Sequence, residues 1–277
     1  MDEREAFEKL KDAIYRERGL DVNQYKENYL KRRLAVRMRA LQLINYESYL
    51  NWLNTYNGEY NTLLDKLTIN VTQFFRDPEV FVEFEKNILP DILSRAGGRL
   101  KVWSAGCSTG EEPFSIAIAI EEAAEKMGIQ GPEYEISATD IDDAALFKAY
   151  EGAFEGRTLD NVAEPRKRKY FSFDGKNYII TDKIKKKVKF LKANLMDPFR
   201  RNFFDIIFCR NVIIYFSKEL QRKVLQYFYD GLREEGVFFM GKTETMLRDL
   251  RDKFRCINIK ERIFEKTSTG GAEGTKE

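Results

Sequence analysis

From residue 3 to about residue 96 the apolar positions recur at helical spacing. Phe7, Leu10 and Ile14 mark one stripe, and Gly19 interrupts it. A second helix is expected from about Tyr25 to Leu41, with Leu30, Leu34, Met38 and Leu41 as its apolar side. A third runs from about Tyr46 to Tyr56 with Tyr49, Leu50 and Leu53 together. Asn57-Gly58 signals a turn, and a short helix follows to about Leu67. Asp77-Pro78-Glu79 has the form of a helix start, Asp as N-cap and Pro at the first helical position. That helix is expected to end near Ser94, before Gly97-Gly98.

From Arg99 the texture changes to strands alternating with helices. Leu100 to Ala105 reads as a buried strand, followed by a glycine loop and a helix from Pro113 to Met127. Tyr134 to Thr139 is a second strand, and Ile141 to Tyr150 a short helix. Asp205 to Cys209, Lys218 to Leu232 and Gly236 to Met240 continue the alternation. Cys256 to Ile259 and Ile263 to Lys266 read as a terminal antiparallel pair. Such alternation implies an α/β fold with a mostly parallel sheet covered on both faces. Tyr170 to Leu191 is different, and reads as a β-hairpin or three-stranded insertion turning at Asp174-Gly175-Lys176-Asn177. The expected domains are an all-α segment 1–76, a linker helix 77–98 and an α/β domain 99–266. That domain carries a small antiparallel insertion at about 168–191, and a disordered tail follows at 267–277.

Composition narrows the chemistry. The chain has 277 residues, 43% hydrophobic and 13% aromatic, enough to bury a sizeable core. No apolar run approaches the roughly 20 residues of a membrane span. The start, Met1-Asp2-Glu3-Arg4-Glu5, has no signal-peptide core, so a soluble cytoplasmic protein is expected. Three cysteines, Cys107, Cys209 and Cys256, fit a reducing compartment and offer no zinc spacing, so no metal is expected. There is no histidine. That excludes Ser-His-Asp and Cys-His catalysis and any general base with a normal pKa near neutrality. The 47 basic and 45 acidic residues nearly cancel, which does not announce a nucleic-acid binder.

Candidate chemistry sits at strand ends. After the first strand comes Gly106-Cys107-Ser108-Thr109-Gly110-Glu111-Glu112, where two glycines let backbone pass close beneath a ligand. It is neither GxGxxG nor a Walker loop. Acidic residues opening the helix repel a pyrophosphate but suit a cationic or ribose-bearing ligand. Asp140 ends the second strand, where doubly wound folds place a carboxylate on ribose hydroxyls; a helix N-cap is the competing role. Arg210-Asn211 emerges at the carboxyl end of another strand, with Tyr215 beyond it; pairing with Asp197 or Asp205 is the competing role of Arg210. Asn70-Val71-Thr72-Gln73-Phe74-Phe75-Arg76-Asp77-Pro78 is an unusual polar and aromatic turn, readable also as a packed linker. Between Glu27 and Glu47 there is no acidic residue, while Lys31, Arg32, Arg33, Arg37 and Arg39 share one helix, which favours an acidic partner.

Together these segments resemble the bacterial and archaeal chemotaxis receptor methyltransferases, the CheR family, over residues 3 to about 266. The resemblance rests on Asn70 to Arg76, on Trp103 to Ser115, on Ala138-Thr139-Asp140-Ile141-Asp142 and on Phe208 to Phe216, in the family's order. It implies a class I S-adenosylmethionine-dependent methyltransferase domain, Rossmann-like, preceded by an all-α domain and carrying a small β-subdomain. It also implies methyl transfer to glutamate side chains on cytoplasmic helices of chemoreceptors, with S-adenosylhomocysteine as product.

Carried over by motif, Asn70, Thr72 and Arg76 would contact the methionine end of the cofactor or line the transfer site. Gly106 would pass beneath the cofactor, Glu111 would meet its amino group and Asp140 its ribose. Asn194 and Leu195 would surround the adenine, Arg210 and Asn211 the methionyl part. Arg76 and Tyr215 would border the methyl group and orient the glutamate. Lys31, Arg33 and Arg37 would dock an acidic receptor helix bundle. The compact turn in Phe171 to Ile180 resembles family members that do not bind a receptor C-terminal pentapeptide. A monomer acting on receptors, without nucleic acid or membrane insertion, is the expectation. The alternatives are a nucleic-acid methyltransferase, disfavoured by the lack of an Asn/Asp-Pro-Pro-Tyr motif, and a non-catalytic scaffold. A nicotinamide oxidoreductase fails on the glycine loop.

Overall fold

The computed structural model describes residues 1–68, 70–95 and 99–267, so the expected helix stop at Gly97-Gly98 and most of the tail lie outside the described residues. The chain forms two compact units. One is Met1–Asn70 with Tyr215–Gln221; the other is Val71–Ile214 with Arg222–Glu277.

The first unit is helical because its apolar residues recur every three or four positions and its ends are capped. Helix α1 (Glu3–Arg18) starts at Asp2, whose carboxylate accepts from the Glu5 N–H, and stops at Gly19 in left-handed conformation. Phe7, Leu10 and Ile14 are its buried face, as expected. Helix α2 (Glu27–Ala40) buries Leu30, Leu34 and Met38. Helix α3 (Tyr46–Thr55) is capped by Asn45, and α4 (Gly58–Leu67) buries Tyr60, Leu63 and Leu67. The later segment Tyr215–Gln221 joins through an antiparallel bridge between Tyr25 and Phe216. The Lys26 N–H donates to the Tyr215 carbonyl at 2.9 Å, and the Ser217 N–H to the Gln24 carbonyl at 2.8 Å.

Helix α2 corrects one expectation. Arg37 does not face solvent: its Nε and Nη2 each donate to a different oxygen of Glu59 at 2.8 Å, and the Tyr49 hydroxyl donates to Glu59 Oε1 at 3.0 Å. Glu59 is buried, so it needs those partners. Burial, reinforced by Glu59, pushes the Tyr49 hydroxyl far above its ordinary pKa. Arg33 is only half-exposed, with its guanidinium over the Tyr29 ring at 5.3 Å. Lys31 is exposed and pairs with Glu27. The outward basic residues of α2 are therefore Lys31, Arg32 and Arg39.

The second unit opens with α5 (Pro78–Glu83), a wide π turn (Phe84–Ile88) and α6 (Leu89–Arg95). One continuous helix was expected here, and the helical run is unbroken from Pro78 to Arg95; the π turn inside it was not foreseen. Pro90 has no N–H to bond the carbonyl four residues back, and the wider turn, in which the Leu89 N–H reaches the Phe84 carbonyl, lies just before it. Then come β1 (Leu100–Ala105), α7 (Glu111–Lys126), β2 (Tyr134–Asp140) and α8 (Asp143–Glu151). A lesser region holds β3 (Ala153–Phe154), α9 (Glu164–Tyr170), β4 (Phe171–Phe173), β5 (Tyr178–Ile180) and α10 (Asp182–Lys185). The chain closes with β6 (Val188–Lys192), β7 (Phe204–Cys209), α11 (Lys218–Gly231), β8 (Leu232–Met240), β9 (Phe254–Asn258) and β10 (Ile263–Lys266).

The large sheet has the order β6-β2-β1-β7-β8-β10-β9. Its first five strands are parallel; β10 runs antiparallel to both β8 and β9. Strands β1, β2 and β7 are buried almost without interruption, as strands covered on both faces must be. Phe208 and Phe239 stack at 4.1 Å, and Phe84 meets both edge-on at 5.2 Å. The small sheet has the order β3-β5-β4 and is antiparallel. Its third strand is β3, upstream of the expected insertion, whereas Val188–Lys192 pairs with β2 in the large sheet. A run as short as Ala153–Phe154 leaves no alternation to read.

The Arg37–Glu59 pair has a stability consequence. Arg37→Ala leaves a buried carboxylate without its cation and is expected to cost about 3 kcal/mol or more. Arg32→Ala and Arg39→Ala, on the exposed face, should stay within about 0.5 kcal/mol of the parent. Urea unfolding of the intact chain checks this, and equal losses for all three would contradict the assignment.

Candidate active site

Strands β6, β2, β1 and β7 are parallel neighbours, so Lys192, Asp140, Ala105 and Cys209 finish at one edge of the sheet. The chain leaves β1 for β2 on one side, while β7 lies on the other. A ligand crevice belongs at this reversal of strand order.

The glycine loop after β1 is shaped by two residues that a side chain would block. Gly106 has φ +78°, and a Cβ there would lie 2.6 Å from Val212 Cγ2. Gly110 has φ +96°, and a Cβ there would lie 3.0 Å from Ala149 Cβ. The Gly106 and Cys107 N–H groups both donate to the Thr139 carbonyl, at 2.8 and 2.9 Å. Asp140 then holds the loop: its Oδ2 accepts from the Ser108 N–H at 2.8 Å and its Oδ1 from the Asp142 N–H at 3.0 Å. Burial pushes its carboxyl up, against those N–H bonds. The helix N-cap is Asp142, whose carboxylate accepts from the Ala144 and Ala145 N–H groups; that role does not fall to Asp140.

Helix α7 brings two further acids. Glu111 is 3% exposed and accepts from Thr109 Oγ1 at 2.6 Å; burial pushes its carboxyl up. Glu112 accepts from Ser104 Oγ at 2.8 Å, and burial pushes it up while Arg210 draws it down. Three carboxylates near this edge repel phosphate.

Arg210 differs most from expectation. Its side chain is 1% exposed, and its Nη2 donates to the Arg76 carbonyl at 3.0 Å and pairs with the Asp77 carboxylate. Its Nη1 lies 3.7 Å from Glu112 Oε2. Neither candidate partner is used: Asp205 pairs instead with Arg233 and accepts from the Lys101 N–H. The guanidinium therefore ties the Thr72–Asp77 loop to β7. In that loop Phe75 and Asp77 have left-handed backbone, φ +50° and +56°. Asp77 makes no side-chain cap to α5, since its carboxylate serves Arg210. Arg76 is half-buried; its Nη1 donates to the Val71 carbonyl at 2.9 Å, and among the described residues it has no ion pair.

The remaining residues fall in order. Thr72 is half-buried in the same loop. Asn194 and Leu195 follow β6 in a turn where Asn194 Oδ1 accepts from the Met196 N–H at 3.0 Å. Asn211 has φ +62°, and its Oδ1 is buried with no hydrogen-bond partner among the described residues. The structure thus brings Gly106, Glu111, Asp140, Arg76 and Arg210 to elements of one sheet edge. Asn70 and Tyr215 belong to the helical unit, where the Tyr215 ring packs on Tyr29 at 4.6 Å.

Three carboxylates that shape the site escaped the sequence reading. Asp77 read as a cap, and Glu112 as a helix-opening acid. Glu244 is 2% exposed and accepts from the Val212 and Ile213 N–H groups at 2.9 Å and from Gly241 at 2.7 Å, fixing the turn after Asn211. An acid three residues beyond the glycine that follows a strand was its only signal.

The donor set fits S-adenosylmethionine. Buried acids suit an ammonium, a sulfonium and ribose hydroxyls, and the unsatisfied Asn211 Oδ1 and Arg210 Nε leave polar atoms for a ligand. Asp140 and Glu111 would hold its ribose and amino group, and Asn194 and Leu195 its adenine.

Comparison with known proteins agrees. Residues 5–68 match the CheR methyltransferase all-alpha domain, and residues 70–263 the CheR methyltransferase S-adenosylmethionine-binding domain. A chemotaxis protein methyltransferase of Listeria innocua is 34% identical over 85% of this chain and 88% of its own. Chemotaxis protein methyltransferase 2 of Pseudomonas aeruginosa is 34% identical over 88% of each. The chemotaxis protein methyltransferase of Escherichia coli is 32% identical over 86% of this chain and 83% of its own. With the loop, the acids and the strand order they share one conclusion: the chain belongs to the CheR family of S-adenosylmethionine-dependent methyltransferases.

Proposed function

We propose that the protein methylates glutamate side chains on the cytoplasmic helices of chemoreceptors, giving glutamyl methyl esters in chemotactic adaptation. The observation that carries this reading is Arg76: a half-buried cation, held through main-chain contacts and without an ion pair among the described residues, in a site rich in carboxylates. Its charge suits an incoming carboxylate.

The chemistry needs no general base. A glutamate carboxyl has a reference pKa of about 4.3, so at neutral pH it is already the nucleophile. A histidine-free chain is no handicap to it. S-adenosylmethionine supplies a positively charged sulfonium with a transferable methyl group. Attack by the anion on that cation removes charge, so a site that excludes water favours it. The chain's contribution is alignment: Arg210 and Asp77 fix the loop, and Arg76 orients the carboxylate. Arg76 also steadies the ionised ground state, so its role is orientation more than acceleration.

Two surface features extend the reading. Lys31, Arg32 and Arg39 on the outer side of α2 suit an acidic receptor helix bundle. The turn between β4 and β5 is closed by Asp174, whose Oδ1 accepts from the Lys176 and Asn177 N–H groups at 2.8 and 2.7 Å. So tight a turn supports the type that does not bind a receptor tail. A tail peptide binding at micromolar affinity would overturn that.

Labelled S-adenosylmethionine with a receptor cytoplasmic fragment tests the reaction. Label released by alkali as methanol is the expected result; alkali-stable label means a different acceptor. Arg76→Ala should reduce transfer by about 100-fold while leaving the fold intact. A second test is pH. Glu111 and Asp140 are pushed up by burial, and their ionised forms are the ones that hold an ammonium and ribose hydroxyls. Ligand affinity should therefore weaken as pH falls through these raised values and level off above them. Calorimetric titration of S-adenosylhomocysteine across the acid range reads this, and a flat profile would refute it.

A further inference from the structure

The loop bearing Thr72 and Arg76 keeps two left-handed non-glycine residues, a shape that persists only where surrounding contacts over-determine it. Arg210 holds Asp77. Phe75 is held from other quarters, helix α7 and the segment running through the small sheet. The Phe74 N–H donates to the Thr158 carbonyl at 2.9 Å, and the Phe74 ring meets Phe154 and Phe171 edge-on at 4.8 and 5.1 Å. The Phe75 N–H donates to Ser115 Oγ at 2.9 Å, and Asn161 Nδ2 donates to the Phe75 carbonyl at 3.4 Å. Over the Phe75 ring, 4.4 Å from its centre, lies the Arg166 guanidinium.

Arg166 is itself fixed. Its Nε and Nη2 donate to Glu122 Oε2 at 3.0 and 2.8 Å, and its Nη2 to Glu85 Oε1 at 2.6 Å. These bonds tie α9 to α7 and to the π turn, and hold the guanidinium with the ring beneath it. A lysine could keep one ion pair but has no flat face to stack. We propose that Arg166 is a positioning residue for methyl transfer: anchored by Glu85 and Glu122 and stacked on Phe75, it holds the turn that presents Thr72 and Arg76. The inference rests on the role given above to Arg76, but the affinity arm of its test does not depend on the receptor.

The experiment is a double-mutant cycle between Arg166→Lys and Phe75→Leu on the full chain, read by S-adenosylhomocysteine affinity, transfer kcat and Tm. In the parent background, Arg166→Lys is expected to weaken S-adenosylhomocysteine about fivefold and lower kcat about tenfold. With leucine at position 75, adding Arg166→Lys should change neither. Should the Phe75→Leu chain fail to fold, Phe75→Met provides the ring-free background. Parent-like affinity and kcat for Arg166→Lys would overturn the proposal. Equal losses in both backgrounds would overturn it too, leaving Arg166 as a tie for α9 alone. If the parent binds S-adenosylhomocysteine yet methylates no receptor fragment, the glutamate reading fails, and the affinity cycle still decides the role of Arg166.

Discussion

The buried Arg210 guanidinium is the interaction on which the site depends. A cation 1% exposed at its side chain is tolerated only with partners, and the chain supplies Asp77, the Arg76 carbonyl and, farther off, Glu112. Arg210 and those partners come from three stretches far apart in sequence. One buried charge thereby sets the position of the loop before α5, the start of α7 and the end of β7 relative to one another. Removing either end would leave an uncompensated charge inside, so the arrangement is closer to all-or-none than a hydrophobic contact would be.

Around it the same device recurs in milder form. Asp140 holds the glycine loop by accepting main-chain N–H bonds, and Glu244 does likewise for the turn after Asn211. Carboxylates used this way shape backbone where no regular ladder reaches. Each is raised in pKa by burial, yet each accepts N–H bonds that favour its ionised form. The acids that fold the site and the acids that suit a cationic, ribose-bearing ligand therefore overlap, and Asp140 belongs to both sets.

Much of the fold was legible in the sequence because periodicity is local. The stripe Phe7, Leu10 and Ile14, the buried run Leu100 to Ala105 and the terminal antiparallel pair all appear where their patterns place them. What was not legible is pairwise and distant. Nothing near Arg37 points to Glu59, and a basic helix face looks solvated until its partner is known. Nothing near Arg210 points to Asp77, which local rules assign to a cap. The strand Ala153–Phe154 was invisible because two residues cannot show alternation. The π turn was missed for a related reason: proline announces a missing donor, not how the helix accommodates it.

The helical unit is assembled from Met1–Asn70 and, more than a hundred residues later, Tyr215–Gln221. Its bridge between Tyr25 and Phe216 cannot form while the chain is shorter than that second piece. On a ribosome the four amino-terminal helices emerge first, and they wait for the strands in between before they are complete. So long a loop slows closure and leaves Tyr25 and Tyr29 without their aromatic partners Phe216 and Tyr215 in the meantime. The order of synthesis thus leaves the earlier-made helices of this unit waiting for its later piece.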